Sequence, residues 1–105
     1  MIAIRAHPVK PRVVIYIKPK TIDKLAAFGE IMSSTLITHA MQSKGLEAVR
    51  KDSRDVITTN DNHTRAAIEY TATNNQLEYY FSRAQQQVTV MPGFIASTSN
   101  GEVTT

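Results

Sequence analysis

The residues with the clearest chemical character are cations. Arg5, Lys10, Arg12, Lys18 and Lys20 fall within the first twenty positions, and no acidic residue lies among them. The other eighty-five positions hold seven basic and nine acidic side chains, so the net charge of +3 conceals a positive segment on a nearly neutral body. A cationic stretch of this kind is matched to an anionic partner, either nucleic acid or an acidic protein surface.

Other constellations carry less. His7, His39 and His63 stand far apart, with no HxxxH or HxH spacing to gather a metal ion. Asp61-Asn62-His63 joins an acid to an imidazole, but its composition is that of a surface turn. Ser33, Ser34 and His39 lie on one expected helix without a GxSxG elbow, which leaves no hydrolytic triad. The four glycines form neither GxGxxG nor GxxxxGK[ST], so no phosphate cradle is expected. Tyr79-Tyr80-Phe81 beside Arg83 is the densest aromatic cluster, and core packing of Phe81 with one tyrosine is its ordinary use. These readings together predict a protein that is not an enzyme and takes no cofactor.

Elements must place those side chains. VVIYI (13–17) is β-branched and aromatic and reads as a strand closed by Pro19, with Val13, Ile15 and Ile17 inward. Arg12, Val14, Tyr16 and Lys18 then share the other face. Thr21 is a candidate N-cap for an amphipathic stripe running through Ile22, Leu25, Phe28, Met32 and Leu36 to Ser43. Gly29 and Ser33-Ser34-Thr35 leave open whether this is one helix or two, and Gly45 ends it. Glu47 is spaced to meet Arg50 and Lys51 on a further helical turn, and DVITT (55–59) reads as a strand. For 64–88 a hairpin turning at TNNQ competes with a helix; the poor helix formers Thr71, Thr73, Asn74 and Asn75 tip the reading to a hairpin over 65–82. VTVM (88–91) is a last strand, Phe94 and Ile95 an anchor, and 97–105 a flexible polar tail.

The expected architecture is α+β: an N-terminal strand, one long or two short helices, and a small antiparallel sheet in the C-terminal half. A single domain over 1–96 suits the length. No apolar run is long enough to span a membrane, and the N-terminus lacks the core of a signal peptide. With no cysteine, a reducing cytoplasmic setting is expected.

RVVIYIKP followed by KTIDKLAAFGEIMSSTLITHAM resembles the ribbon-helix-helix DNA-binding family in plan, with Ser34, Leu36, Ile37, Ala40 and Met41 carrying its second-helix pattern. The resemblance covers about 30 of 105 residues. It implies a dimer whose strand ribbon enters the major groove, with Arg12, Val14, Tyr16 and Lys18 reading bases and Ser33 or Ser34 touching phosphate. The nucleic-acid-binding set is then Arg5, Lys10, Arg12, Tyr16, Lys18, Lys20 and Ser34. The second reading is a protein-binding module docking an acidic partner; neither reading calls for a membrane or a small-molecule cofactor.

Overall fold

A computed structural model describes residues 2–5 and 14–105. The chain is α+β. In order it runs β1 (Ile2–Arg5), β2 (Val14–Ile17), α1 (Pro19–Ser43), β3 (Ala48–Arg50), a 3-10 turn (Ser53–Asp55), β4 (Thr58–Thr59), α2 (Tyr70–Arg83), β5 (Val88–Val90), β6 (Ala96–Thr98) and β7 (Val103–Thr104). β1 and β2 pair antiparallel, Ile4 opposite Ile15. β3 and β5 pair parallel, and β6 lies between β4, which it meets parallel, and β7, which it meets antiparallel.

The question of one helix or two has a definite answer. α1 runs uninterrupted through Gly29 for 25 residues. It begins before Thr21: Lys18 is the extended cap residue, and Pro19 at the first helical position sets φ without losing a needed donor. The Ser/Thr cluster does not break it, because each hydroxyl bonds back onto its own helix. Ser33 donates to Glu30 O, Ser34 and Thr35 to Ile31 O, and Thr38 to Ser34 O. The end is a Schellman turn, with Leu46 N donating to Met41 O and Gly45 N to Gln42 O, and Gly45 supplies the required φ of 85°. The two-helix division of the ribbon-helix-helix plan is therefore absent from 19–43.

Three other expectations change. Residues 70–83 form α2, not a hairpin. Parallel pairing of β3 with β5 needs a crossover, and a helix supplies it. Thr73, a poor helix former, is spent on tertiary structure: its Oγ1 accepts from Thr58 N at 3.0 Å and lies 3.2 Å from Thr58 O. Residues 48–55 form a strand and a 3-10 turn, not a helical turn, and Asp52 caps that turn by accepting from Arg54 N. The stretch 97–105 is built into the sheet. Thr104 is fully buried and its hydroxyl sits 2.7 Å from that of Thr59. Of the proposed anchor, Ile95 is buried and Phe94 is exposed, with φ of 69°. Val13 lies outside the described residues.

Little apolar volume is enclosed. Ala27, Ala48, Val56, Ile95 and Ala96 are the buried hydrophobic residues among those described. The radius of gyration is 17.4 Å, with extents of 58 × 35 × 15 Å. A compact chain of this length has a radius of about 13 Å.

A cationic cleft at the start of α1

Asp23 lies in the first turns of α1 and its side chain is wholly buried. A buried carboxylate is costly unless donors surround it, and three residues supply them. His63 Nδ1 stands 2.9 Å from Oδ2, Thr64 N reaches both oxygens at 3.1 Å, and Thr105 Oγ1 donates to Oδ1. Two of these donors belong to the 60–67 loop, so a helix side chain fixes the loop from beneath. Thr64 takes φ of 70°, a conformation that a β-branched residue adopts only under constraint. The Asp23 carboxylate is that constraint.

The loop is also closed on itself. Asn60 Oδ1 accepts from Asn62 N and Ala67 N, Asn60 N donates to Ala67 O, and Arg65 N donates to Asn62 O. Ala66 N donates to Thr105 O, which ties it to the end of the β-sheet. An Asx turn of this kind is what the Asn60-Asp61-Asn62 composition favours.

His63 continues the chain of contacts outward. Its Nε2 lies 3.3 Å from Glu102 Oε2, and Glu102 Oε1 lies 3.0 Å from Lys20 Nζ. An imidazolium can donate to both carboxylates, whereas the neutral ring has one donor. The Lys20 ammonium and then the His63 ring hold the Glu102 carboxyl below its usual range. The imidazole presents opposite nitrogens to Asp23 and Glu102, so the three do not converge on one point. Among the described residues no group of three ligating side chains could hold a metal ion.

On this base opens a cleft of about 610 Å³ lined by Lys18, Pro19, Lys20, Asp61, Asn62, His63 and Arg65. Lys18, Lys20 and Arg65 line this space together with one carboxylate, Asp61, and Lys20 is paired with Glu102. That arrangement suits a small anion carrying an amino group: a guanidinium grips a carboxylate in two-point fashion, a lysine takes a second, and Asp61 accepts from an ammonium. A second depression, of about 480 Å³, lies between Lys51, Asp55 and α2. There Lys51 Nζ sits 5.1 Å from the Tyr80 ring centroid and the Arg83 guanidinium 4.5 Å from that of Tyr79. Phe81 meets Tyr80 edge-on but is half exposed, not the core residue that was expected.

The expected nucleic-acid residues do not form one surface. Lys18 and Lys20 reach the cleft, and Lys20 is already paired with Glu102. Tyr16 is exposed on β2. Ser34 is buried in the middle of α1 with its hydroxyl bonded to Ile31 O, so it cannot meet a phosphate. Arg5 belongs to β1, its side chain outside the described atoms; Lys10 and Arg12 lie outside the described residues. Asp23 and Arg65 are the residues that sequence reading passed over. Their signal was the polar run TNDNHTR (59–65), which reads as an ordinary turn until Asp23 is seen beneath it.

The proteins this chain is similar to are enzymes and not nucleic-acid-binding proteins. No family model matches the chain. It is 30% identical over 84 residues to maize bifunctional aspartokinase/homoserine dehydrogenase 1 and 32% identical over the same length to the carrot enzyme. Both likenesses cover 79% of this chain and 9% of the plant protein. Among solved structures it is similar to aspartokinase III of E. coli, with 29% identity over 87% of this chain and 21% of that one. The TM-score is 0.77 to the complex with lysine and aspartate (T-state) and 0.73 to that with aspartate and ADP (R-state). The chain thus spans about a tenth of the length of the plant relatives it matches.

These likenesses overturn the nucleic-acid reading and the adaptor reading alike. The matched proteins are aspartokinase/homoserine dehydrogenases and an aspartokinase, and the solved ones hold aspartate with lysine or ADP. The expectation of a nucleic-acid or acidic-protein partner, with no small molecule, is corrected on the same ground. The positive charge is real, and Lys18 and Lys20 bring part of it to the cleft. Among the described residues no helix is long and apolar enough to cross a membrane.

Proposed function

We propose that this chain is the amino-acid-binding portion of an aspartokinase-like enzyme, and that its cleft takes aspartate. One observation carries the reading: Lys18, Lys20 and Arg65 converge with Asp61 on one cleft, in a chain similar to enzymes solved with aspartate. Aspartate is the ligand shared by both E. coli complexes, whereas lysine and ADP occur in one each. A three-cation cleft favours the dicarboxylate over lysine, whose side chain would meet like charge. Arg65 takes one carboxylate, Lys18 the other, and Asp61 the ammonium. Lys20 is tethered by Glu102 and contributes field more than contact.

The chain supplies recognition in this account. The transfer chemistry of a kinase belongs to the larger protein, since no acid, base and nucleophile converge on the cleft. A reducing compartment is part of the proposal, on the absence of cysteine.

Calorimetric titration with aspartate, lysine and ADP tests it. Aspartate binds, lysine does not, and Arg65→Ala weakens aspartate by about 10- to 100-fold, the scale of one charge-assisted contact. Binding of ADP or lysine in preference to aspartate overturns the assignment of the cleft.

A further inference from the structure

His63 is held from both sides by carboxylates. Its side chain is 12% exposed; Asp23 meets Nδ1 at 2.9 Å and Glu102 meets Nε2 at 3.3 Å. The two carboxylates differ in what they can do without the ring. Asp23 is wholly buried, and its other donors, Thr64 N and Thr105 Oγ1, are uncharged. Glu102 is 38% exposed, so water and Lys20 can take the place of the imidazole. When the ring is neutral its one proton therefore stays on Nδ1, facing the buried carboxylate. Nε2 then turns a lone pair toward Glu102, and the outer contact is the one that breaks. The Glu102 backbone keeps its place, because its N–H donates to Thr98 Oγ1 and its carbonyl accepts from Thr98 N. Only the side chain is released, and Lys20 is the cation it retains.

Both consequences act on the cleft in the same direction. Asp23, Glu102, His63 and Lys20 are two carboxylates facing two cations while the ring is charged, and carry a net negative charge once it is neutral. His63 itself lines the cleft, with Lys18, Lys20 and Arg65 as the other basic groups and Asp61 as the acid. Asp61 and Glu69 also line a polar depression with Glu102, which adds negative potential on that side. An anion in the cleft thus loses one cation when the ring loses its proton, and Lys20 is drawn further toward Glu102.

We infer that the proton on His63 controls the cleft: with the imidazolium a small anion binds, and with the neutral ring it binds more weakly. The inference rests on the reading of the cleft as an aspartate site and adds a regulation to it. Histidine is the side chain whose charge ordinarily changes between about pH 5 and 8. By linkage, aspartate binding takes up a proton wherever the ring is part neutral.

Calorimetric titration of the full chain with aspartate, from about pH 5.5 to 8.5, tests this. The dissociation constant rises about tenfold across that range, the scale of one partly screened charge at the rim of a site. Repeating the titration in buffers of different ionisation heat shows proton uptake peaking at about half a proton, the most that a tenfold linkage allows. His63→Gln binds aspartate with neither the pH dependence nor the uptake. A second reading needs no variant: imidazole ¹⁵N shifts of the native chain at fixed pH move toward the imidazolium at His63 as aspartate is added. Binding that is flat with pH, that strengthens as pH rises, or that keeps its profile in His63→Gln overturns the inference and leaves the cleft. An imidazole signal at His63 that aspartate does not move overturns it too, even where His63→Gln fails to fold. No aspartate binding at any pH removes the cleft and the control with it.

Discussion

Asp23 joins the helix to the 60–67 loop that lines the cleft. Its carboxylate accepts from His63, Thr64 and Thr105 with no exposure to solvent. Asp23→Asn places an amide NH₂ against those donors, and the expected cost is about 2–3 kcal/mol. Urea unfolding reads this as a lowered midpoint with unchanged slope. Acid sensitivity also belongs at this scale. Lys20 and then His63 depress the Glu102 carboxyl, and the Arg54 side chain holds down that of Asp52 through contacts as short as 2.6 Å. A carboxylate whose folded value lies below its unfolded one contributes stability above the unfolded value and loses it as pH falls through the folded one. Stability therefore declines below about pH 4.5, the ordinary carboxylate range. Glu102→Gln makes the decline shallower, and urea midpoints between about pH 3 and 6 show it. The exposed Glu102–Lys20 pair makes a small contribution to that slope.

At the level of elements, the glycine within α1 and the one just past its end give opposite predictions. Gly29 sits mid-helix on an exposed surface, and an added Cβ meets nothing within 4 Å. Gly29→Ala is expected to stabilise by about 0.5–1 kcal/mol. Gly45 also has open space, but its φ of 85° penalises a side chain, so Gly45→Ala destabilises by about 1 kcal/mol. Thermal melts of both variants settle the pair.

The same helix shows what the sequence made legible. Its apolar periodicity and its glycine stop are local signals, and a helix appears there, but it begins at Pro19 and not after the expected N-cap Thr21. What the periodicity could not reveal is direction. The Leu25–Leu36 stripe faces outward because the inward positions are occupied by small and hydroxylated side chains fitted to a sheet made later in the chain. The helix at 70–83 was hidden for a related reason: Thr73 lowers helix propensity locally but bonds Thr58 across the fold. The tail at 97–105 looked disordered because its buried members are threonines, satisfied in pairs such as Thr59–Thr104. The candidate site was half legible. Lys18 and Lys20 stood out by charge, whereas Arg65 and Asp61 became part of a site only through Asp23, forty residues upstream of the loop.

For the molecule as a whole, the small enclosed core and the flat shape belong together. Burial of five small or medium apolar residues is worth little at about 25 cal/mol per Å², while Phe28, Met32, Leu36 and Phe94 remain in solvent. The chain resembles a fifth of a larger enzyme and exposes its best hydrophobic side chains. Its own site nevertheless lies within it: the start of α1, the 60–67 loop and Glu102 are held by contacts internal to the chain. The central claim, that this cleft recognises aspartate, is tested most directly by mapping amide chemical shifts in the ¹⁵N-labelled chain as aspartate is added. Saturable shifts are expected at Lys18, Lys20 and residues 61–65, lost in Arg65→Ala and not produced by lysine. Shifts centred instead on Lys51, Tyr79 and Arg83, or none at all, would contradict it.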